Sequence, residues 1–217
     1  MRKSILVLMI AIGLSLAAAD QGRAETGNFS LILGAKTLDE DDWATNDDQF
    51  EIGLEADFAV SGLPCNLAVG LTGSGTDNTF YTYENGYLSS VRDEVTTTEL
   101  RFGLKQIWRA GPTLRGFLAG GPVIIAATEE FRYNDGYTHI YTYGYRDYYY
   151  VAEYEGLSIS DDGISLGVWA ATGLYLSLEN RLNIGFSIGY SAGRVRLFGD
   201  KVDAGGGHFG LLLGFSF

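Results

Sequence analysis

The sequence predicts an all-β chain: an eight-stranded antiparallel transmembrane up-and-down β-barrel, preceded by a cleaved signal peptide. Three observations predict it: the alternation of the last ten residues, an apolar leader at the start, and connections that alternate between short and long. In the closing segment Phe209, Leu211, Leu213, Phe215 and Phe217 fall on one parity, while His208, Gly210, Gly214 and Ser216 occupy the other, which is small or polar apart from Leu212. A strand sends alternate residues to opposite faces, so one face of this segment is an unbroken apolar stripe.

The leader has the three parts of a secretory signal. Arg2 and Lys3 are a positive n-region, Ser4 to Leu16 an apolar h-region, and small residues allow cleavage after Ala19 or Ala24. The signal peptide is therefore expected over 1–24 and the barrel over 25–217. The h-region is too short to span a bilayer as a helix. Cys65 is the one cysteine, which excludes an internal disulfide, and its distance from the leader argues against a lipoprotein anchor.

Eight strands follow in order. The first, about Phe29 to Thr37, sets Phe29, Leu31, Leu33 and Ala35 on one face. In the second, Phe50, Ile52, Leu54, Ala56, Phe58 and Val60 alternate with Gln49, Glu51, Gly53, Glu55, Asp57 and Ala59. The third, about Cys65 to Gly73, carries Leu67, Val69 and Leu71; the fourth sets Leu100, Phe102 and Leu104 against Glu99, Arg101, Gly103 and Lys105. The fifth, about Thr113 to Thr128, is apolar on both parities, which leaves its facing open, and Pro122 marks a bulge or an irregular end. The sixth runs from about Ile164 to Leu178. The seventh alternates Leu182, Ile184, Phe186, Ile188 and Tyr190 with Asn183, Gly185, Ser187, Gly189 and Ser191. The closing segment is the eighth.

The connections divide into two kinds. Segments 61–64, 109–112 and 179–181 have the Gly, Pro and Asn chemistry of tight turns. Loops are expected at 38–48, 75–93, 129–163 and 198–204, the first three long and polar, and the second and third rich in tyrosine. Outer-membrane barrels have short periplasmic turns, longer extracellular loops and an even strand count, which places both termini in the periplasm. Thirty glycines, fourteen tyrosines, twelve phenylalanines and only three prolines suit many short strands. A soluble eight-stranded barrel would bury its apolar parity. Here the opposing parity is too small and too sparse to make a soluble surface, whereas it suits a crowded lumen with lipid outside.

The closing strand from Phe209 to Phe217 and the glycine-alternating strand from Leu182 to Tyr190 resemble the small eight-stranded bacterial outer-membrane barrels: the OmpX, OmpW and opacity types and the OmpA transmembrane domain. That resemblance implies a bacterial outer-membrane location and a porin-like or surface-antigen architecture. It also implies an assembly signal in Phe209, Leu211, Leu213, Phe215 and Phe217, read by the barrel-assembly machinery. The expected partners are outer-membrane lipids and lipopolysaccharide. A monomer is expected.

Chemistry is sparse. The lumen parity carries a charge network of Glu51, Glu55, Asp57, Glu99, Arg101 and Lys105, which Lys36 and Arg115 are placed to join. Lone buried charges are costly, so these groups are expected to pair and plug the lumen. The alternatives are a narrow channel or an OmpW-like transporter of small hydrophobic compounds. A lipid A-modifying enzyme would need a Ser/His/acid set. The two histidines are His139, in the longest loop, and His208, on the lumen parity with Gly210 rather than a serine two residues on. No catalytic, metal or cofactor site is expected, and the acidic stretch Asp39 to Asp48 lacks calcium-loop spacing. The formal charge is −12, and −14 once Arg2 and Lys3 are lost, which argues against a nucleic-acid partner. Nine tyrosines crowd 129–163. Of these, Tyr137, Tyr141, Tyr143, Tyr145, Tyr148, Tyr149 and Tyr150 are the candidate surface contacts, and the period of two kept by Tyr137, His139, Tyr141, Tyr143 and Tyr145 suggests a projecting hairpin. The function expected is thus a non-enzymatic outer-membrane barrel with a structural and surface-interaction role.

Overall fold

The computed structural model describes residues 27–43, 46–84, 87–143, 146–153, 157–178 and 181–217, with the side chains of 82–89 and 134–156 left aside. The expected signal peptide lies outside the described residues. Eleven strands and one helical turn follow in order: β1 (Gly27–Thr37), α1 (Glu40–Trp43), β2 (Asp48–Ala59), β3 (Asn66–Glu84), β4 (Tyr87–Arg109), β5 (Leu114–Tyr143), β6 (Arg146–Glu153), β7 (Ser158–Ser177), β8 (Leu182–Ala192), β9 (Arg194–Leu197), β10 (Asp200–Asp203) and β11 (Gly206–Ser216).

Eight of these strands close on themselves. Neighbours pair antiparallel around the ring β1–β2–β3–β4–β5–β7–β8–β11, and β11 returns to β1 with Phe29 opposite Phe215 and Leu31 opposite Leu213. Closure leaves no unpaired edge in the ring. Phe217 donates its N–H to the Gly27 carbonyl at 2.9 Å, so the seam is tied at one rim. That rim also holds the turns after β2, β4 and β7. The opposite rim holds α1, the β3–β4 and β5–β6 hairpins and the β9–β10 hairpin; it is called the hairpin rim below.

Alternation sorts the side chains as the sequence pattern requires. Along β2, Phe50, Ile52, Leu54 and Phe58 face out and are exposed, while Gln49, Glu51, Glu55 and Asp57 are buried. The outward apolar residues continue around the ring, through Leu71, Leu104, Leu166, Ile184 and Phe186 to Leu211 and Phe215.

Two features depart from the sequence reading. The segments 75–93 and 129–163, expected as loops, are mostly strand: the β3–β4 ladder runs from Asn66–Lys105 to Glu84–Tyr87, and β5 continues to Tyr143 before pairing with β6. Threonine and tyrosine there favour extended backbone, so the ladders continue past the apolar girdle. The second feature concerns β5. Its odd positions face in, with Phe117, Val123 and Ile125 buried, and Ile124 faces out. Both parities are apolar because this half of the lumen is capped by apolar side chains. Val95, Val123, Ile125, Leu38, Trp43, Val195 and Leu197 form one cluster. Pro122 makes no bulge, since β5–β7 pairing runs through Pro122–Val168 without a shift. The β4–β5 ladder instead skips Phe102 and Gly103. Pro122 has no N–H to offer, and the Phe102 carbonyl accepts from the Trp169 indole at 2.9 Å.

The acidic loop after β1 folds down as α1. Asp39 accepts from the Asp41 N–H at 3.3 Å and from the Trp43 N–H through its carbonyl at 3.0 Å, closing one helical turn. Trp43 is thereby buried, and its indole donates to the Asp203 carbonyl at 2.6 Å. Trp43 is an anchor that holds the loop over the barrel mouth.

Candidate functional site: the charged interior

The six network residues expected in the lumen all lie inside the barrel, each at most 8 % exposed. β2 supplies Glu51, Glu55 and Asp57, and β4 supplies Glu99, Arg101 and Lys105, on strands that β3 separates. They form two groups. Nearer the termini-bearing rim, Lys105 bonds Glu55 at 2.6 Å and Asp57 at 3.0 Å, and lies 4.5 Å from the Phe117 ring centre. Asp57 is completed by the amides of Asn28 and Asn66. Asn28, Asn183 and Ser216 close this end with mutual hydrogen bonds of 2.8–3.1 Å.

The second group is built around Glu99. Lys36 reaches it at 2.8 Å, Arg101 grips it through Nε and Nη2 at 2.9 and 2.7 Å, and the Ser191 hydroxyl donates to it at 2.8 Å. Such charge-assisted contacts are stronger than neutral ones, and here they satisfy every charge in the group. Lys36 spends its other hydrogens on Thr97 Oγ1 and the Ala204 carbonyl, both at 2.9 Å. Arg115 takes a different place, donating to the carbonyls of Gly111, Pro112 and Leu114 at the turn.

Sequence reasoning missed Ser191 and gave His208 no partner. His208 Nδ1 lies 2.5 Å from Glu51 Oε2, and Nε2 lies 3.0 Å from Ser191 Oγ. Arg101 Nη2 also stands 3.1 Å from both ring nitrogens of His208. Four carboxylates (Glu51, Glu55, Asp57 and Glu99) thus share the interior with Lys36, Arg101, Lys105 and the His208 imidazole. The lumen parity of β8 was the only signal for Ser191. Its meeting with His208 depends on β8–β11 register, which sets Gly206 opposite Ser191 and His208 opposite Gly189.

Ser191, His208 and Glu51 stand at the distances of a nucleophile, base and acid. Ser191 is fully buried, and its hydroxyl lies 2.8 Å from Glu99 as well as 3.0 Å from His208. The cavity beside His208, lined by Glu51, Arg101 and Trp169, has a volume of about 20 Å³, room for a single water. Among the described residues no cluster of His, Cys, Asp or Glu is arranged to hold a metal ion. His139 and six of the seven candidate tyrosines lie in β5 or β6 without described side chains; Tyr145 falls outside the described residues.

A further polar group sits at the hairpin rim, beyond the apolar girdle. Asn46 donates to Asp93 at 2.5 Å, and Asn78 donates to Asn46 at 2.7 Å. Burial, reinforced by the nearby charge of Asp93, pushes the Glu129 carboxyl up to about 7. Burial also raises Asp93, against the opposing effect of its Asn46 hydrogen bond. The folded barrel thus keeps a proton on Glu129 that the unfolded chain has lost above about pH 4.5. Stability is then expected to fall as pH rises from about 4.5 to 7, and to level off above that range. The thermal midpoint of heat-modifiable gel mobility should be lower at pH 8 than at pH 5. Glu129→Gln should remove most of that difference; an unchanged pH dependence would assign it to other groups.

The fold defines a closed, antiparallel, eight-stranded up-and-down barrel with an apolar exterior and a charged interior. No protein-family model and no curated protein matches the chain. Solved structures do. The attachment invasion locus protein Ail of Yersinia pestis, in complex with the heparin analogue sucrose octasulfate, is 13 % identical, with 88 % of this chain and 97 % of that chain covered and a TM-score of 0.44. A major outer membrane protein from Thermus thermophilus is 12 % identical over 88 % and 99 % of the two chains, with a TM-score of 0.40. Neisserial surface protein A is 10 % identical over 88 % and 96 %, with a TM-score of 0.39. In architecture this chain resembles these small outer-membrane barrels.

Proposed function

We propose that this chain is an integral protein of the bacterial outer membrane, without enzymatic activity, whose filled barrel carries surface hairpins. The observation that carries this reading is the pairing of an apolar girdle around the whole exterior with an interior of neutralised charges. Side chains such as Leu166, 80 % exposed, and Phe50, 65 % exposed, favour hydrocarbon over water. The interior holds the small cavity beside His208 and a lesser one of about 10 Å³ near Asn183. In planar bilayers the purified barrel is expected to show no steady conductance. Stable channels would replace this reading with a porin-like one.

Strand length supports a surface role. A membrane-crossing strand needs about 9–11 residues, whereas β4 has 23 and β5 has 30. The excess stands beyond the girdle at the hairpin rim, which in this reading faces outward from the cell. Replacing residues 131–156 by a short turn is expected to leave a folded, heat-modifiable barrel and to abolish adhesion through the β5–β6 hairpin. Retained binding would move the contact surface to another part of the rim.

A further inference from the structure

At Gly193 the chain leaves β8 and turns in over the barrel mouth. A Cβ there would lie 2.8 Å from Ile125 Cδ1, so a larger residue would require that side chain to shift. The β9–β10 hairpin then crosses the rim. Val195 and Leu197 are buried against the apolar cap. Its tip is held by the Phe198 N–H donating to Asp161 and by Phe198 lying 5.8 Å from Phe131. Its base is held by the Trp43 indole on the Asp203 carbonyl and by Asp42 accepting from the Asp203 N–H at 2.7 Å. The hairpin is a lid with one face fixed downward.

Alternation places Arg194 and Arg196 on the other face, where both are exposed. The ladder sets Lys201 opposite Arg196 and Asp203 opposite Arg194. Three cations therefore share a four-residue face with one acid, and that acid also accepts from the Gly205 N–H at 3.2 Å. Like charges directly across a ladder destabilise it. The arrangement is conspicuous in a chain of net charge −12. Elsewhere at this rim cations are neutralised: Arg92 pairs with Asp77, and Arg132 with Glu130 at 2.7 Å. Among the described residues Arg194, Arg196 and Lys201 make no ion pair.

We propose that the outer face of this lid binds a multiply anionic saccharide, one bearing several sulfate or phosphate groups, through Arg194, Arg196 and Lys201. The inference rests on the reading that the hairpin rim faces outward from the cell. Same-face neighbours stand about 7 Å apart along a strand and about 5 Å apart across the ladder. That spacing suits separate anionic groups on one sugar better than a single phosphate. Arginine forks grip such oxygens in pairs. Because the opposite face packs onto the lumen, the cations point away from the barrel rather than along its lipid wall, which favours a ligand from outside over the membrane's own headgroups.

The test is calorimetric titration of sucrose octasulfate into the folded barrel in phosphatidylcholine nanodiscs, whose neutral headgroups do not compete for the cations. Saturable binding that weakens with added salt is expected. The triple variant R194A/R196A/K201A should lose at least tenfold in affinity while keeping wild-type heat-modifiable mobility, and R92A/R132A should bind as wild type does. Absence of wild-type binding, undiminished binding by the triple variant, or loss in R92A/R132A would each overturn the site. Abolition of binding when lipopolysaccharide is added to the nanodisc would assign the face to lipid phosphates and overturn the outside ligand. A chain that stays out of the nanodisc yet loses binding on the triple change would overturn the membrane reading and keep the site.

Discussion

Glu99→Ala is expected to destabilise the barrel by about 3–5 kcal/mol, the range for breaking a buried ion pair from one side. Glu99 is 1 % exposed and receives Lys36, Arg101 and Ser191. Removing it strands Lys36, whose remaining partners are a hydroxyl and a carbonyl. Arg101 keeps His208 at 3.1 Å, and its nearest remaining carboxylate is Glu51 at 3.8 Å. The uncompensated charges cost more than the lost attraction. Removing both charges, as in Lys36→Met with Glu99→Leu, should therefore recover part of the loss. The measurement is the urea midpoint of the folded barrel in micelles, read from gel mobility and tryptophan fluorescence. A double variant no more stable than Glu99→Ala would show that packing, rather than stranded charge, sets the effect.

The second large effect is expected at the seam between β4 and β5. A Cβ on Gly103 would stand 2.3 Å from the Gly120 carbonyl oxygen, and one on Gly121 would stand 2.3 Å from the Phe102 oxygen. These obstacles are backbone, which cannot swing aside as a flexible side chain does. Gly103→Val should thus leave most of the chain in the unfolded band after refolding, beyond the about 1–3 kcal/mol typical of core overpacking. Gly73→Val is the control, because nothing lies within 4 Å of a Cβ there. Equal folding of the two variants would mean that the seam relaxes freely.

Much of the fold was legible because period-two alternation reports which face of a strand a residue occupies. Glu51, Glu55 and Asp57 read as lumen residues from sequence because Ile52, Leu54 and Phe58 intervene. The same signal failed on β5, where Val123 and Ile124 are both apolar for different reasons: one caps the lumen and the other meets the exterior. It also failed at the rim. Residues 75–84 carry Thr, Asp, Asn, Phe and Tyr with no apolar face, yet their backbone pairs with β4 to the hairpin end. Polar strands outside a girdle keep the ladder without the pattern that betrays it.

The sequence by itself determined the number of strands in the closed ring, the parity of most of them and the sign of each interior charge, since these depend on residue type and spacing along one strand. The tertiary structure alone decided which charges meet. Glu99 and Lys36 come from β4 and β1, and Ser191, His208 and Glu51 from three further strands, so their contacts depend on register and on how the ring closes. It also decided that Trp43 is an anchor rather than an exposed aromatic, and that the β9–β10 hairpin is a lid with its cations turned outward. Alternation fixes a side chain's face relative to its own strand. Where that face points in space is set by the rest of the barrel.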